Sequence, residues 1–331
     1  MAELATEKGP VYNINIHIFN KIQHTITGWP GGKPNADDSQ RPERAIPDHK
    51  RVLIFSPHPD DDVISMGGTF IRLVDQGHDV HVAYQTSGNT AVWDDDVLRF
   101  VEFVTDFSKA INMDTCRLEE MYANMRSFIE SKQPNQVDIK DIQTVKGLIR
   151  KGEAISGARY AGLNDDHIHF MALPFYEKGK SQRVTVSDVD IQMTIDLLQK
   201  VKPHQIFTAG DFADPHGTHK ICFDIVIKAL DRLKNEDWVK DCWLWMYRGA
   251  WHEFETHEIE MAVPLSPQEV ERKRFAIFKH QSQKDRPVFP GDDAREFWVR
   301  AEDRTRETAR SYDKLGMAEY EAMEAFVRYK F

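Results

Sequence analysis

The apolar run Arg51-Val52-Leu53-Ile54-Phe55 reads as a short buried strand, and it passes without a break into Ser56-Pro57-His58-Pro59-Asp60-Asp61-Asp62. The stretch that follows, from Val63 to Gln76, reads as a helix. Strand, polar loop and helix in that order build an open α/β sheet, where ligands gather outside the carboxyl ends of the strands. The loop holds one imidazole and three carboxylates. His58 and one aspartate can bind a metal ion, leaving a second carboxylate free to act as a base.

One acidic turn is weak evidence, because Asp and Pro are ordinary turn and helix-capping residues. A second cluster changes the balance. Gln205-Ile206-Phe207-Thr208-Ala209 reads as another buried strand and runs into Gly210-Asp211-Phe212-Ala213-Asp214-Pro215-His216-Gly217-Thr218-His219, ahead of a helical pattern from Ile221 to Leu230. His216 and His219 are three apart at a helix start, which puts both imidazoles on one face. A catalytic zinc keeps three protein ligands and one open position, and His58, Asp61 and His219 supply that set. Neighbouring Asp60 projects elsewhere and is the candidate general base. His216 is the candidate to stabilise or protonate what develops at a substrate carbonyl.

Further along, strand and helix patterns alternate: Val80 to Tyr84 as strand, Val97 to Ile111 and Val145 to Tyr160 as helices, His167 to Leu173 as strand. The expected fold is therefore α/β, a Rossmann-like three-layer αβα arrangement on a mainly parallel sheet. Residues 1–50 read as an extension or linker rich in loop chemistry, with an edge strand within Tyr12 to Phe19, where Ile14, Ile16 and Ile18 alternate with polar residues. Residues 51–331 form the expected main domain. The stretch 89–146 reads as a helical insertion whose Trp93, Asp94, Asp95 and Asp96 either rim the pocket or decorate a surface or oligomer contact. Asp292 to Phe326 reads as two charged amphipathic helices packing on the sheet.

With these residues in view, the chain resembles the PIG-L or LmbE-like metal-dependent de-N-acetylases. The first signature of that family, an apolar strand followed by His-Pro-Asp-Asp, stands here as His58-Pro59-Asp60-Asp61. Its second, a His, two intervening residues and then a metal-binding His, stands as His216-Gly217-Thr218-His219. The resemblance implies metal ligation by His58, Asp61 and His219, base work by Asp60 and transition-state stabilisation by His216. Arg150 and Glu153 look like the family's Arg-x-x-Glu helix, whose Arg faces the sugar, and Lys279-His280-Gln281-Ser282-Gln283 looks like its closing His-x-Ser-Gln segment. Coverage runs from about Arg51 to about Gln283.

Two positions depart from the pattern. Asp62 stands where many members carry Glu or Ala, at a position read as the start of a helix. Thr218 stands where many carry an Asp that orients the neighbouring His, and Asp214 or Asp211 is the candidate stand-in. The chain is also similar to the C-terminal half of long bacterial glucosamine-6-phosphate deaminase-like proteins, in which a sugar-isomerase domain precedes the de-N-acetylase domain.

Composition excludes other classes. A net charge of −10 over 331 residues argues against general nucleic-acid binding. No apolar run reaches the roughly 18 to 20 residues of a membrane span, and the start Met-Ala-Glu-Leu-Ala-Thr-Glu lacks a signal segment, so a cytoplasmic location is expected. Cys116, Cys222 and Cys242 are scattered singly and read as buried packing residues. Arg150, Lys151, Arg159, Lys178, Lys180 and Arg183 are candidates to meet a phosphate. The expected activity is a zinc-dependent hydrolase, with Fe²⁺ an alternative ion, removing the N-acetyl group from an N-acetylglucosamine-type sugar that is free, phosphorylated or conjugated. The alternative is a catalytically weak sugar-binding or scaffold domain. A homo-oligomer or a fused sugar-isomerase domain is the expected partner beyond the small-molecule substrate.

Overall fold

The computed structural model describes residues 2–35, 39, 41, 47–134, 136–177, 186–212, 217–249, 252–284, 288, 293 and 295–331. Its strands are β1 (Arg51–Ser56), β2 (Asp79–Tyr84), β3 (Ile168–Phe170), β4 (Gln205–Ala209), β5 (Trp243–Tyr247), β6 (Met261–Leu265) and β7 (Ala322–Tyr329). Among the described residues they form one seven-stranded sheet in the order β3-β2-β1-β4-β5-β7-β6. β3, β2, β1, β4 and β5 are mutually parallel, and β7 runs antiparallel between β5 and β6. The chain leaves β1 toward β2 and β3, and then returns to lay β4 on the other side. That reversal makes the carboxyl ends of β1 and β4 the switch point of the sheet.

The helices are, in chain order, α1 (Ala2–Lys8), α2 (Val11–Gln23), α3 (Asp61–Asp75), α4 (Asp94–Ala110), α5 (Cys116–Ser131), α6 (Lys140–Tyr160), α7 (Pro174–Glu177), α8 (Asp188–Val201), α9 (Thr218–Leu233), α10 (Asp237–Lys240), α11 (Pro267–Ile277), α12 (Gln281–Lys284) and α13 (Phe297–Lys314). Alternate strand residues feed two cores, as a period-two backbone requires. Val52, Ile54, Val82, Tyr84, Phe207 and Trp245 pack with α3, α6, α11 and α13 on one face. Leu53, Phe55, Ala83, Ile206 and Leu244 pack with α8 and α9 on the other. The αβα architecture follows from that double burial. α4 and α5 close a small cluster of their own around Val97, Val101, Met125 and Ile142. No helix among the described residues is long and apolar enough to cross a membrane.

Three local expectations are corrected. Tyr12 to Phe19 is helical, within α2, because Val11, Ile14, Ile18 and Ile22 also recur at helical spacing, with Ile14 buried and Ile22 packed on a core cluster. The sheet edge meets the N-terminal segment slightly later, where Ile26 bridges Ala262 beside β6. The C-terminal stretch is one helix, α13, followed by strand β7, whose first five residues are buried. Cys116 is exposed at the start of α5, whereas Cys222 and Cys242 are buried.

Glu324 explains why a segment of good helix formers, Ala322-Met323-Glu324-Ala325, is held as a strand. α3 is interrupted at Met66, whose φ of −132° and ψ of 26° are not helical. The Gly68 and Thr69 amides just past the kink donate to the two carboxylate oxygens of Glu324 at 3.0 and 2.6 Å. Lys273 of α11 completes the knot, 2.7 Å from Glu324 and 3.4 Å from the Ser65 carbonyl, with both side chains essentially sealed from water. A buried pair of this kind is costly to break on one side, because the surviving charge loses its partner. Glu324→Gln should therefore lower the unfolding free energy by about 3–5 kcal/mol in chemical denaturation. A loss under about 1 kcal/mol would contradict this account of the kink.

Candidate functional site

The loop after β1 is built on a strained residue. Asp60 has φ 135° and ψ −24°, a region that costs a side-chain-bearing residue on the order of 1–3 kcal/mol. Its carbonyl accepts from the Ile64 amide at 2.9 Å, which fixes the turn into α3. Arg150 of α6 clamps the turn from behind, donating to the Pro59 carbonyl and pairing with Asp60 Oδ1 at 3.2 Å. Gly88, after β2, lies against both: a Cβ there would stand 3.0 Å from Pro59 and 3.1 Å from Arg150. Its φ of +62° independently favours glycine.

The turn delivers Asp61 to the meeting point of two loops. Asp61 Oδ2 accepts from the His58 amide at 2.9 Å and lies 3.1 Å from His58 Nδ1 and 3.2 Å from His219 Nε2. His219 stands at the start of α9, 2 % exposed, with its Nδ1 3.0 Å from the Asp211 carbonyl. A carbonyl only accepts, so Nδ1 carries the proton and Nε2 turns a lone pair toward Asp61. Lone pair and carboxylate repel unless a second proton, which makes His219 a cation, or a metal ion lies between them. The 3.1 and 3.2 Å spacings agree with the roughly 3.3 Å between neighbouring ligands of a tetrahedral ion with 2.0–2.1 Å bonds. The three donors therefore fit a divalent ion of the zinc class. Burial alone would raise the Asp61 carboxyl, but His219 and then His58 outweigh it and hold it well below the usual carboxylate range.

Asp60, next in sequence, goes the other way. Burial pushes its carboxyl up to about 6 against the opposing charge of Arg150, with Asp61 adding to the rise. Two adjacent carboxylates with such different proton affinities suit different tasks.

Several contributors escaped the sequence. Asp62, read as a helix starter, is fully buried and accepts from Tyr84 Oη at 3.0 Å and Ser56 Oγ at 3.2 Å, while its own amide donates to Ser56 Oγ. Burial pushes its carboxyl up to about 7 against the Tyr84 hydrogen bond. It is a strut beneath the loop, and its signal was its place one and two turns ahead of the buried Met66 and Thr69. Tyr176 of α7 sets its ring edge-on to His58, centroids 6.1 Å apart, with its hydroxyl 2.9 Å from Thr90 Oγ1. Glu153 accepts from both the amide and the hydroxyl of Ser282, at 2.6 and 2.7 Å, and Gln283 donates to the Ala91 carbonyl at 2.6 Å. The Arg-x-x-Glu and His-x-Ser-Gln segments are thus one packed unit behind the loop.

Arg150, expected to face a sugar, is 1 % exposed and spends its contacts on Pro59 and Asp60. Asp211 serves His219 through its backbone, and its carboxylate accepts from the His252 amide at 2.8 Å. Thr218 is buried beside His219. His216 and Asp214 lie outside the described residues, as do Lys178, Lys180 and Arg183. Asp94 pairs with Lys132 and Lys146, and Arg159 with Asp165. Lys151 lies over the Phe170 ring.

A Rossmann-like sheet whose switch point gathers two histidines, the carboxylate between them and a second buried carboxylate defines a recognisable class of protein. Residues 53–230 match the PIG-L family, described as GlcNAc-PI de-N-acetylase, and the chain belongs to that family. A glucosamine-6-phosphate deaminase-like protein of Bacteroides thetaiotaomicron is 57% identical over 332 residues, 99% of this chain and 50% of that protein. The chain thus spans about half the length of this curated relative. Among solved structures, N,N'-diacetylchitobiose deacetylase of Pyrococcus horikoshii aligns with TM-score 0.54 and 18% identity over 95% of this chain and 92% of that one. GalB, the 4-carboxy-2-hydroxymuconate hydratase of Pseudomonas putida, aligns with TM-score 0.52 and 13% identity over 85% and 97%. At these identities the likeness is one of fold, and the fold hosts more than one reaction.

The metal reading has a direct check. Chelator-treated protein supplied with Zn²⁺ should bind an ion that His219→Ala and Asp61→Asn each release, measured by elemental analysis after gel filtration. Unchanged metal content in both variants would contradict the ligand set.

Proposed function

We propose that the chain is a metal-dependent hydrolase that removes the acetyl group from an N-acetylglucosamine-type sugar. The observation that carries this reading is the pairing of a His58, Asp61, His219 ligand set, half-buried at His58 and buried at the other two, with a second carboxylate, Asp60, kept ionisable beside it. Membership of a family described as de-N-acetylases supports the reaction type. Zinc is the ion we favour, with Fe²⁺ the alternative for a site of two imidazoles and a carboxylate. A bound divalent ion would polarise the amide carbonyl and ease ionisation of the attacking water.

The residues divide the remaining work. Asp60, ionised at neutral pH, accepts the proton of the attacking water as the C–O bond forms. Arg150 aims it, through the ion pair and through its hold on the Pro59 carbonyl. His216 steadies the oxyanion. The C–N bond then breaks to release acetate, and the amine leaves with a proton from Asp60 or His216. Asp62, Ser56 and Tyr84 keep the loop in its strained shape. Residues 51–331 would form the hydrolase, with 89–146 an insertion and 1–50 a linker. The twofold length of the Bacteroides relative supports a fused sugar-isomerase domain in the whole protein.

Asp60→Asn should keep the ion and lose about 10²–10⁴-fold in turnover, read as acetate release from phosphorylated and unphosphorylated N-acetyl sugars. Equal loss of metal and activity in Asp60→Asn would refute the division between the two carboxylates. The pH profile follows the same logic. The base works ionised, so kcat/KM should fall as pH drops through the Asp60 pKa, at or below about 6, because a bound cation lowers it further. A rate that stays level from pH 7 to pH 4 would rule out Asp60 as the base.

A further inference from the structure

Away from the strand ends that hold the proposed active site, β2, β3 and the turn between them gather a second set of ligand atoms. Asp79 and His81 are two apart on β2 and share one face of the sheet. His169 on β3 is in register with Ala83, on that same face. His167 closes the turn Asp165–His167 that leads into β3. His81 Nε2 lies 3.3 Å and His167 Nδ1 3.7 Å from Asp79 Oδ1, and the two imidazoles tilt against each other with centroids 4.2 Å apart. On the far edge of His81, Nδ1 is 3.1 Å from His169 Nε2.

We propose that Asp79, His81 and His167 form a second metal site, for a divalent transition-metal ion of the zinc class, which ties edge strand β3 to β2. Two imidazoles and one carboxylate suit such an ion, and their ligand atoms converge within 4.8 Å of one another. The spacing to Asp79 Oδ1 approaches the roughly 3.3 Å of neighbouring tetrahedral ligands. His169 supplies the outer support that metal-bound histidines use: with the proton on His81 Nδ1, shared with His169 Nε2 at 3.1 Å, Nε2 of His81 is free as a donor to the ion.

The charged groups facing the cluster are Asp79 and Asp166 on the acidic side and Lys200 of α8 on the basic side. Lys200 is exposed, so its repulsion of a cation is screened. Asp79 and His167 are only partly covered, so an ion can reach them from solvent. β3 has three residues at the edge of the sheet, and a clip to β2 supplements its few ladder hydrogen bonds. The sequence signal is Asp-x-His on one strand and His-x-His across the start of the next.

The test counts ions. Chelator-treated full chain is titrated with Zn²⁺ to a modest excess and examined by native mass spectrometry. Two bound ions are expected, with one lost in His167→Ala and one lost in Asp79→Asn, a change that keeps the side-chain shape. His219→Ala should lose the other ion, and Zn²⁺ should still raise its thermal midpoint, an effect absent from the His219→Ala/His167→Ala double variant. If His167→Ala and Asp79→Asn, both folded by circular dichroism, bind as many ions as the unaltered chain, the second site is refuted, whatever His219→Ala does.

Discussion

One oxygen atom organises the candidate site: Asp61 Oδ2, approached by the His58 amide, His58 Nδ1 and His219 Nε2. Its position requires the turn at Asp60 to be held against its own backbone preference, and much of the surrounding structure serves that end. Arg150 grips the turn from α6, Asp62 and Ser56 brace it from below, and Tyr84 caps the brace from the end of β2. Glu153 ties α6 to Ser282 in turn. Strain of this kind persists only where the surroundings over-determine it.

Burial gives the three consecutive aspartates three characters. Asp61 is held ionised by two imidazoles, Asp60 is raised by burial but restrained by Arg150, and Asp62 is raised furthest, under a tyrosine hydroxyl and a serine. The backbone turn separates the directions of the side chains, and the environments separate their proton affinities. A candidate ligand, a candidate base and a strut thus arise from one repeated residue.

What could be read from the sequence was what depends on local pattern. The apolar runs at Val52 and Ile206 marked buried parallel strands, and the ligand-rich loops after them marked the switch point of the sheet. What could not be read depends on partners distant in sequence. Glu324 looks like a surface helix residue until the kink at Met66, more than 250 residues earlier, brings it two amide donors. Ile14, Ile16 and Ile18 fit a strand period while Val11, Ile14, Ile18 and Ile22 fit a helix period, and packing of Ile14 and Ile22 decides for the helix. Asp62 looked like a cap because its two side-chain partners, Ser56 and Tyr84, belong to strands.

The most direct test of the central claim is anomalous X-ray scattering from crystals of the full chain grown with Zn²⁺. A peak about 2.0–2.2 Å from His58 Nδ1, Asp61 Oδ2 and His219 Nε2, with the Asp60 carboxylate turned toward the open coordination position and not bonded to the ion, is the result this account predicts. A peak bonded to Asp60 instead of Asp61, or no peak between the two histidines at full Zn²⁺ supply, would contradict it.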